Sequence, residues 1–422
     1  MTEKMLEASD RVGPAKQIEN VEPKDVTGHS EFLEEEQDAQ ALETTLSHVG
    51  RKYYLSPRFL GAYCALGLSL GASLAAFAVI APLLTVINQS LGPDPSYTWV
   101  IYVFNASVAV TSPILGRVTD LFGRRTIFIT FGFIQIIGLI VCATAKSIPI
   151  LIGGTVLLGI GSTAGYCAAY AIAELVPLKY RYYFNGIVFI FVSPSCLGAL
   201  IADELVAHFP HAGWRSVYYL LIVFDALALA MVVLFYYPPT FRMKHPGSKA
   251  IEWVKNFDYV GTLLFAGGLV IFLFGISSGG TNWAWKSAGP ITMIIVGVFT
   301  LIAFGCWETL VPLKEPLIPR NLLRRRDYVI TLLVVGLATS VFYSAAIIWP
   351  QEVAVLYASG NLANTGALAS MPGLGSLAGQ WVGAALALSV GRHKLLLIIS
   401  FFCAGTLLAC KFNEAGANKL FC

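Results

Sequence analysis

Charged residues are scarce in this chain of 422 residues, and the few that occur are unevenly placed. They make up 13% of the sequence, whereas soluble domains carry about a quarter. Twelve of the 25 carboxylates lie within residues 1–50, which leaves 13 for the rest of the chain. Hydrophobic residues make up 56%, and the mean hydropathy is +0.69. This composition excludes an ordinary soluble domain and predicts a membrane protein that follows a disordered acidic tail.

Motifs for metals, nucleotides and covalent catalysis are missing as well. The eight cysteines are scattered without a C-x2-C pair, and the six histidines form no metal-binding pattern. We find no phosphate-binding loop, no Asp-x-Asp metal site and no nucleophile elbow. We therefore expect no metal, no cofactor, no nucleic-acid partner, no ATP-driven pumping and no enzymatic activity.

Long apolar runs, by contrast, dominate the chain after residue 55. Eleven of them approach the length of about 20 residues that a helix needs to cross a hydrocarbon core of about 30 Å. Solid apolar runs indicate helices, because the strands of a membrane barrel would alternate in polarity. The sequence thus predicts an all-α multi-pass membrane protein. The eleven predicted spans are 60–85, 98–115, 126–145, 149–172, 184–206, 217–237, 258–276, 288–307, 328–349, 362–390 and 395–411.

The distribution of basic residues predicts the orientation of these spans. If the N-terminus is cytoplasmic, 16 Lys and Arg residues fall on the inner loops and three on the outer loops. The positive-inside rule therefore favours a cytoplasmic N-terminus. No secretory signal peptide precedes the first span, so we expect that span to act as the targeting signal.

One short segment between the second and third spans, here called the charged loop, concentrates charge between two apolar runs. It runs from Gly116 to Arg125 and reads Gly-Arg-Val-Thr-Asp-Leu-Phe-Gly-Arg-Arg. An aspartate and an arginine near helix ends can clamp two helices in one state and release them in another. We therefore predict that the charged loop is the conformational hinge of a transporter. The residues assigned to this role are Gly116, Asp120, Gly123, Arg124 and Arg125.

The charged loop resembles the signature G-x-x-x-D-x-x-G-R-[KR] of the major facilitator superfamily, which lies between the second and third helices of those proteins. Four further patterns are similar to the fungal fourteen-helix group of that superfamily, which includes trichothecene efflux pumps and siderophore-iron transporters. The resemblance covers residues 50–411 and implies two six-helix bundles with two inserted helices between them. The four patterns are Asp258-Tyr-Val-Gly261, Pro238-Pro239, Lys314-Glu-Pro-Leu-Ile-Pro319 and Arg324-Arg-Arg326.

The resemblance implies four parts and an incomplete second bundle. Three of the fourteen helices would be missing, so a chain that ended here is expected to transport little. The parts are the acidic cytoplasmic tail (1–55), the first six-helix bundle (56–237), a cytoplasmic loop with the two inserted helices (238–327) and the first part of the second bundle (328–422).

The loop after the tenth span repeats part of the charged loop. Gly391 and Arg392 stand in the register of Gly123 and Arg124, but Leu388 replaces the aspartate. Parallel repeats of this kind mark the two halves of such transporters. We interpret the repeat as a second, weaker hinge, with a short basic turn as the alternative.

Glycines and prolines inside the spans predict close packing or kinks. The fourth span of related drug pumps carries an arginine where this chain has Thr155, so a proton relay through that arginine is not expected. The antiporter pattern of the fifth span is only partly present. The small residues can form interfaces that slide or rock during transport, or they can serve ordinary packing with no role in motion. The residues assigned to packing or kinks are Gly159, Gly161, Gly165, Pro194, Gly198, Gly375, Gly379 and Gly383.

Few polar side chains lie at membrane depth. Asp225 is near the middle of the sixth span, where an ionisable group is costly and usually functional, so it is the candidate for proton coupling. A neutral structural aspartate is the alternative. A cavity for an amphipathic substrate needs aromatic surfaces and a few hydrogen-bond donors. The candidates for that cavity are Asn105, Tyr166, Tyr170 and Gln351.

These observations predict a monomeric secondary active transporter of the plasma membrane that works by alternating access. We expect it to export a toxin, drug or secondary metabolite in exchange for protons, so its partners are a small amphipathic molecule, protons and the lipid bilayer. Uptake of a ferric siderophore is the first alternative. A transport-inactive sensor, which would keep the charged loop and lose the coupling carboxylates, is the second.

Overall fold

A computed structural model describes residues 54–176, 178–238, 257–280, 283–311, 317–318, 324–356 and 362–390. Within these ranges a few side chains, including those of Asp120 and Leu121, fall outside the description. The eleventh predicted span, the repeat at Gly391 and Arg392, and nearly all of the predicted tail also lie outside the described residues.

The described residues are helical apart from turns and one isolated β-bridge between Gly279 and Trp283, which confirms the predicted all-α class. Short 3-10 helices at Ala81–Leu83 and Pro95–Thr98 flank the second helix. The α-helices in this part of the chain are α1 Pro57–Ala78, α2 Leu84–Leu91, α3 Trp99–Phe122, α4 Arg124–Ala143, α5 Ile148–Leu175, α6 Leu178–Cys196, α7 Gly198–His208, α8 Arg215–Phe235, α9 Tyr259–Ser278, α10 Ala288–Leu310, α11 Arg326–Leu356, α12 Leu362–Ala369 and α13 Met371–Val390.

Nine helical segments of the described residues are long and apolar enough to cross a membrane. They coincide with the first nine predicted spans, although their ends differ. Helix α11, for example, continues past Pro350 to Leu356, whereas the prediction ended at 349. A proline inside a membrane helix is tolerated where neighbouring groups satisfy the freed carbonyl. The tenth predicted span, 362–390, consists of α12 and α13.

Prolines accompany breaks in three of the predicted spans, because a proline has no N–H for the carbonyl four residues earlier. Pro82 lies between α1 and α2. Pro194 precedes the break at Leu197 between α6 and α7, and Pro372 follows the break at Ser370 between α12 and α13. The prolines inside the predicted spans indicate kinks, and each of these three spans contains two α-helices in the described residues.

Side chains donate hydrogen bonds to two of the backbone carbonyls that lack an N–H partner because of a proline. Ser193 Oγ donates to Ile190 O at 2.6 Å, four residues before the proline of α6. Trp349 Nε1 donates at 2.7 Å to Leu368 O, four residues before the proline of α13. An unsatisfied backbone group in hydrocarbon costs several kcal/mol. These two bonds therefore stabilise the broken helices.

Helices α1 to α8 pack into a bundle in which α5 contacts α1, α3 and α4, while α8 contacts α1 and α4. Two clusters of buried apolar side chains fill this bundle, one toward each end of the helices. The first cluster includes Phe77, Leu139, Leu158 and Leu221, and the second includes Leu66, Phe128, Ile172 and Val232.

The helices α9 and α10 pack against each other and, through α9, against α3. The ring centroids of Trp99 in α3 and Phe274 in α9 are 4.5 Å apart. At the other end of the pair, Asp258 Oδ1 accepts hydrogen bonds from Gly261 N–H at 2.8 Å and from Trp307 Nε1 at 3.1 Å. These are the two helices that the resemblance implied as an insert.

The helices after residue 324 contact the bundle in two places. Tyr343 and Ile347 of α11 pack against the apolar cluster that contains Phe77. Farther along the chain, α12 packs against α7 and α13 packs against α6. The second half of the described chain is therefore joined to the bundle at the cluster that contains Phe77 and along the interrupted helix pair α6 and α7.

Candidate functional site

A single glycine turns the chain inside the charged loop. Gly123 has φ +84° and ψ 141°, a conformation that residues with a Cβ rarely adopt. Its N–H donates to Thr119 O at 3.1 Å, which ends α3, and α4 begins at the next residue. Gly116 is helical instead, and no described atom lies within 4 Å of the position that a Cβ would take. The turn therefore depends on Gly123.

Arg124 forms an ion pair with Glu174 at the end of α5. The two side chains are 21% and 46% exposed, so water partly screens the pair. Each charge lies at a helix end whose dipole opposes it, since Arg124 is in the first turn of α4 and Glu174 in the last turn of α5. Pairing offsets both unfavourable interactions and ties α4 to α5.

Sequence reasoning missed Glu174 as the partner of this arginine, because 50 residues separate the two in the chain. The usable signal was an acidic residue two positions after the predicted span 149–172, at a helix end where a basic residue would normally be favoured. The sequence instead predicted Asp120 as the acidic residue of the clamp, and the side chain of Asp120 is not among the described ones. The role of Asp120 stays a prediction.

Arg125 ties the charged loop to a third helix. Its Nη2 donates to Val233 O at 2.8 Å, in the last turn of α8, where a cation is favoured by the helix dipole. The guanidinium also lies 3.7 Å from the ring centroid of Tyr237, within cation–π range. Two adjacent arginines therefore hold the start of α4 to the ends of α5 and α8.

Three buried polar side chains lie between the two apolar clusters of the bundle. Ser73 in α1, Gln135 in α4 and Asp225 in α8 are 0%, 3% and 7% exposed. Ser73 Oγ donates to Gln135 Oε1 at 3.3 Å, and the Asp225 carboxyl group faces the same amide. The geometry does not complete that second bond, since Gln135 Nε2 has no hydrogen-bond partner among the described residues. An unused donor thus lies beside a buried carboxyl group.

These side chains line a small cavity of about 20 Å³ inside the bundle. Glycines form part of its wall, including Gly132 in α4 and two residues of α5. A Cβ at Gly161 would collide with the backbone of Gln135, and a Cβ at Gly165 would collide with the hydroxyl of Ser73. The glycines of α5 thus make room for the polar side chains of α1 and α4.

The other residues assigned to packing differ in what surrounds them. Gly159 lies against Phe104 O in α3, and Gly198 lies against Ala78 O in α1. The glycines of α13 are unlike these, because no described atom lies within 4 Å of their Cβ positions. Their packing role stays a prediction. These glycines are Gly375, Gly379 and Gly383.

Within the described residues, three of the four substrate-cavity candidates make no side-chain hydrogen bond to another helix. Asn105 Nδ2 donates to Ile101 O at 3.1 Å within its own helix. Tyr170 is 75% exposed, and Gln351 is exposed as well. Their assignment stays a prediction.

Tyr166, the fourth candidate, lies where the bundle meets α11. It faces Tyr343, whose ring centroid is 5.2 Å from that of Phe77 in an edge-on arrangement. The Tyr166 hydroxyl is buried and has no hydrogen-bond partner among the described residues. A buried polar group of this kind calls for a partner, which a ligand can supply. Sequence reasoning missed Tyr343, because nothing in an apolar span singles out one of its aromatic residues.

Known proteins resemble this chain over most of its length. The protein family described as "Fungal trichothecene efflux pump (TRI12)" matches residues 22–412. The trichothecene efflux pump TRI12 of Fusarium sporotrichioides is 28% identical over 328 residues, which cover 76% of this chain and 54% of that protein. Its counterpart in Trichoderma arundinaceum is 28% identical over 401 residues, which cover 87% and 66%. The chain thus spans 54% and 66% of the length of these two relatives.

A solved structure shares the fold. The crystal structure of the peptide transporter POT in complex with sulfate matches with a TM-score of 0.54 over 84% of this chain and 73% of that one. The two sequences are 16% identical, so this likeness concerns the fold alone.

Proposed function

Because this chain belongs to the fungal trichothecene efflux pump family of the major facilitator superfamily, we propose that it is a secondary active transporter. Its proposed cargo is a trichothecene or a related amphipathic toxin, moved out of the cell. We place it in the plasma membrane as a monomer, with the N-terminus and the charged loop in the cytoplasm. The siderophore and sensor alternatives stay untested predictions.

One observation carries the transport part of this proposal. At one end of the bundle, two arginines of the charged loop hold α4 to α5 and α8. The second half of the chain instead contacts the bundle toward the opposite end, through α11 at the cluster that contains Phe77 and through α12 and α13 at α7 and α6. A bundle that is held together internally at one end can rock as a unit against its partner helices, which is how alternating access works.

Asp225 is the proposed proton-coupling residue. A buried carboxylate is costly when it is charged, and the unused Gln135 Nε2 is a donor that can stabilise it. When protonated, the acid can instead donate to the Ser73 hydroxyl or to Gln135 Oε1. Gain or loss of one proton would therefore change hydrogen bonds among α1, α4 and α8 together, which can bias a two-state packing.

Because a chain that ended at residue 422 is expected to transport little, the test uses this chain continued by the three further helices that the resemblance implies. It measures accumulation of a radiolabelled trichothecene in proteoliposomes that contain this protein and carry an imposed pH gradient. We expect uptake against the substrate gradient, lost when a protonophore is added. Asp225→Asn should lose this accumulation and keep downhill exchange of labelled for unlabelled toxin.

Asp94→Asn is the matched control, because Asp94 lies outside the bundle and its Oδ1 accepts from Ser96 N–H at 2.8 Å in a loop. Accumulation by Asp225→Asn equal to that of this control would remove the coupling role. If the unmodified protein moved no trichothecene or related toxin under any gradient, the transport proposal would be wrong.

A further inference from the structure

Three interrupted helices meet at the end of the bundle opposite the charged loop. α1 ends at Ala78, α6 ends at Cys196 and α12 ends at Ala369. Gly198, just after the second break, lies against Ala78 O. Gly373, just after the third break, lies against Cys196 O. The breaks are therefore in contact with each other, and two of them bring the second half of the chain onto the first bundle.

The break between α6 and α7 leaves the backbone bond between Leu200 N–H and Cys196 O unmade, and the second half of the chain contacts both of these groups. In a continuous helix Leu200 N–H would donate to Cys196 O. Here Leu200 N–H donates to Ser370 Oγ at 3.1 Å, and Gly373 packs over Cys196 O. The Ser370 hydroxyl itself donates to Gly366 O at 2.9 Å. The serine thus uses both of its hydrogen-bonding roles in this contact.

Only small residues fit this contact. A Cβ at Gly373 would collide with Cys196 O, and a Cβ at Gly366 would lie 3.0 Å from the Cα of Leu200. Two residues beyond, Gly375 has no described atom within 4 Å of its Cβ position. The close contact is therefore confined to one face of α12 and the start of α13.

We propose that this contact is the latch of the outer gate, an inference that rests on the proposed transport function. In the closed state Ser370 and Gly373 occupy the break between α6 and α7. When the second half rocks away, Leu200 N–H and Cys196 O become free to pair with each other. Backbone groups within a membrane need a partner in every state, so this exchange lowers the cost of opening. It also gives the gate two discrete arrangements, as a switch requires.

The test uses the full chain in intact cells, with Tyr343→Cys as a reporter beside Phe77 and Tyr166. A membrane-impermeant maleimide added outside labels this cysteine at a rate that follows the opening of the outer end. The chain that retains Tyr343 gives the background from native cysteines. Ser370→Ala should raise the labelling rate about fivefold, the order expected from the loss of one intramolecular hydrogen bond. Gly373→Val should raise it at least as much, because valine cannot enter the break.

Gly375→Val is the matched control on the same helix and should leave the rate unchanged. The amount of each variant in the membrane and its elution as a single species check that it folds, and Ser370→Ala is the smallest change among them. An unchanged rate in Ser370→Ala, or an equal rise in Gly375→Val and Gly373→Val, would overturn the latch. The readout needs no substrate. A chain that moves no toxin but shows the expected labelling pattern therefore contradicts the proposed function and supports the latch.

Discussion

Gly116 and Gly123 both belong to the charged loop, but only Gly123 has a backbone that requires glycine. No described atom lies within 4 Å of either Cβ position, so an added methyl group would cause no steric clash at either site. The difference is the φ of +84° at Gly123. We expect Gly123→Ala to cost about 1–3 kcal/mol. Gly116→Ala, inside α3, should instead be neutral or stabilise by up to about 1 kcal/mol. Thermal unfolding in detergent measures both, and equal melting temperatures would contradict this reading of the turn.

The ion pair between Arg124 and Glu174 has the less favourable of its two possible orientations. Exchanging the residues would place a glutamate at the start of α4 and an arginine at the end of α5, which both helix dipoles favour. We therefore expect the double variant Arg124→Glu/Glu174→Arg to unfold at a temperature no lower than the native chain. Either single variant brings like charges together and should be less stable.

The natural orientation keeps this pair easier to break, which suits a clamp that must release. Transport by the double variant should therefore be slower than native although its stability is not lower. The stability coupling of such a partly exposed pair is about 0.2–1 kcal/mol, measured by a double-mutant cycle. Native transport rates in all three variants would show that the pair has no part in the motion.

At the level of the helix, three glycines of α5 allow three neighbouring helices to pack closely against it. Gly159 lies against α3, Gly161 against α4 and Gly165 against α1. We expect Gly161→Ala and Gly165→Ala each to destabilise the protein by about 1–3 kcal/mol, because the backbone or the buried Ser73 must shift. Gly153→Ala in the same helix is the control, since no described atom lies within 4 Å of its Cβ position. Similar unfolding temperatures for all three variants would contradict close packing as the reason for these glycines.

The interrupted helices show where a local pattern stops being informative. Pro194 predicts a kink because the missing N–H is a property of that residue alone, and a break follows it at Leu197. At this break Leu200 N–H and Cys196 O are not bonded to each other. They contact Ser370 and Gly373 instead, which are distant in the chain. The glycine repeat chosen from spacing in α13 has no described neighbour at its Cβ positions, whereas Gly373, in no repeat, is enclosed. Spacing identifies small residues on a face, but the neighbouring helix decides which of them are needed.

For the whole molecule, orientation is the prediction that most of the proposed mechanism needs. Phe122 in the charged loop is 56% exposed, and Trp285 between α9 and α10 is 55% exposed. With the N-terminus in the cytoplasm, Phe122→Cys should react with an impermeant maleimide only after permeabilisation, because the basic loops face inward. Trp285→Cys should react in intact cells. The opposite pattern would place the charged loop outside and would contradict both the hinge and the outer gate.

Much of the architecture could be predicted, because lipid imposes a length and a composition on every spanning helix. The first nine spans in the described residues follow from that rule. The charged loop could also be found, since its residues are adjacent in the chain. Its partner could not, because Glu174 is 50 residues away, and the serine that meets Leu200 is 170 residues away.

The amino-acid chemistry of each segment was enough to say that this chain crosses a membrane, roughly where it does so, and which helices contain a proline or a glycine. Helix packing alone decided which carboxylate pairs with Arg124, which polar side chains surround Asp225, and which broken helices touch. The physical reason is that solvation by lipid acts on each segment separately. A hydrogen bond such as that between Leu200 and Ser370 exists only at the distance to which the folded helices bring its two groups.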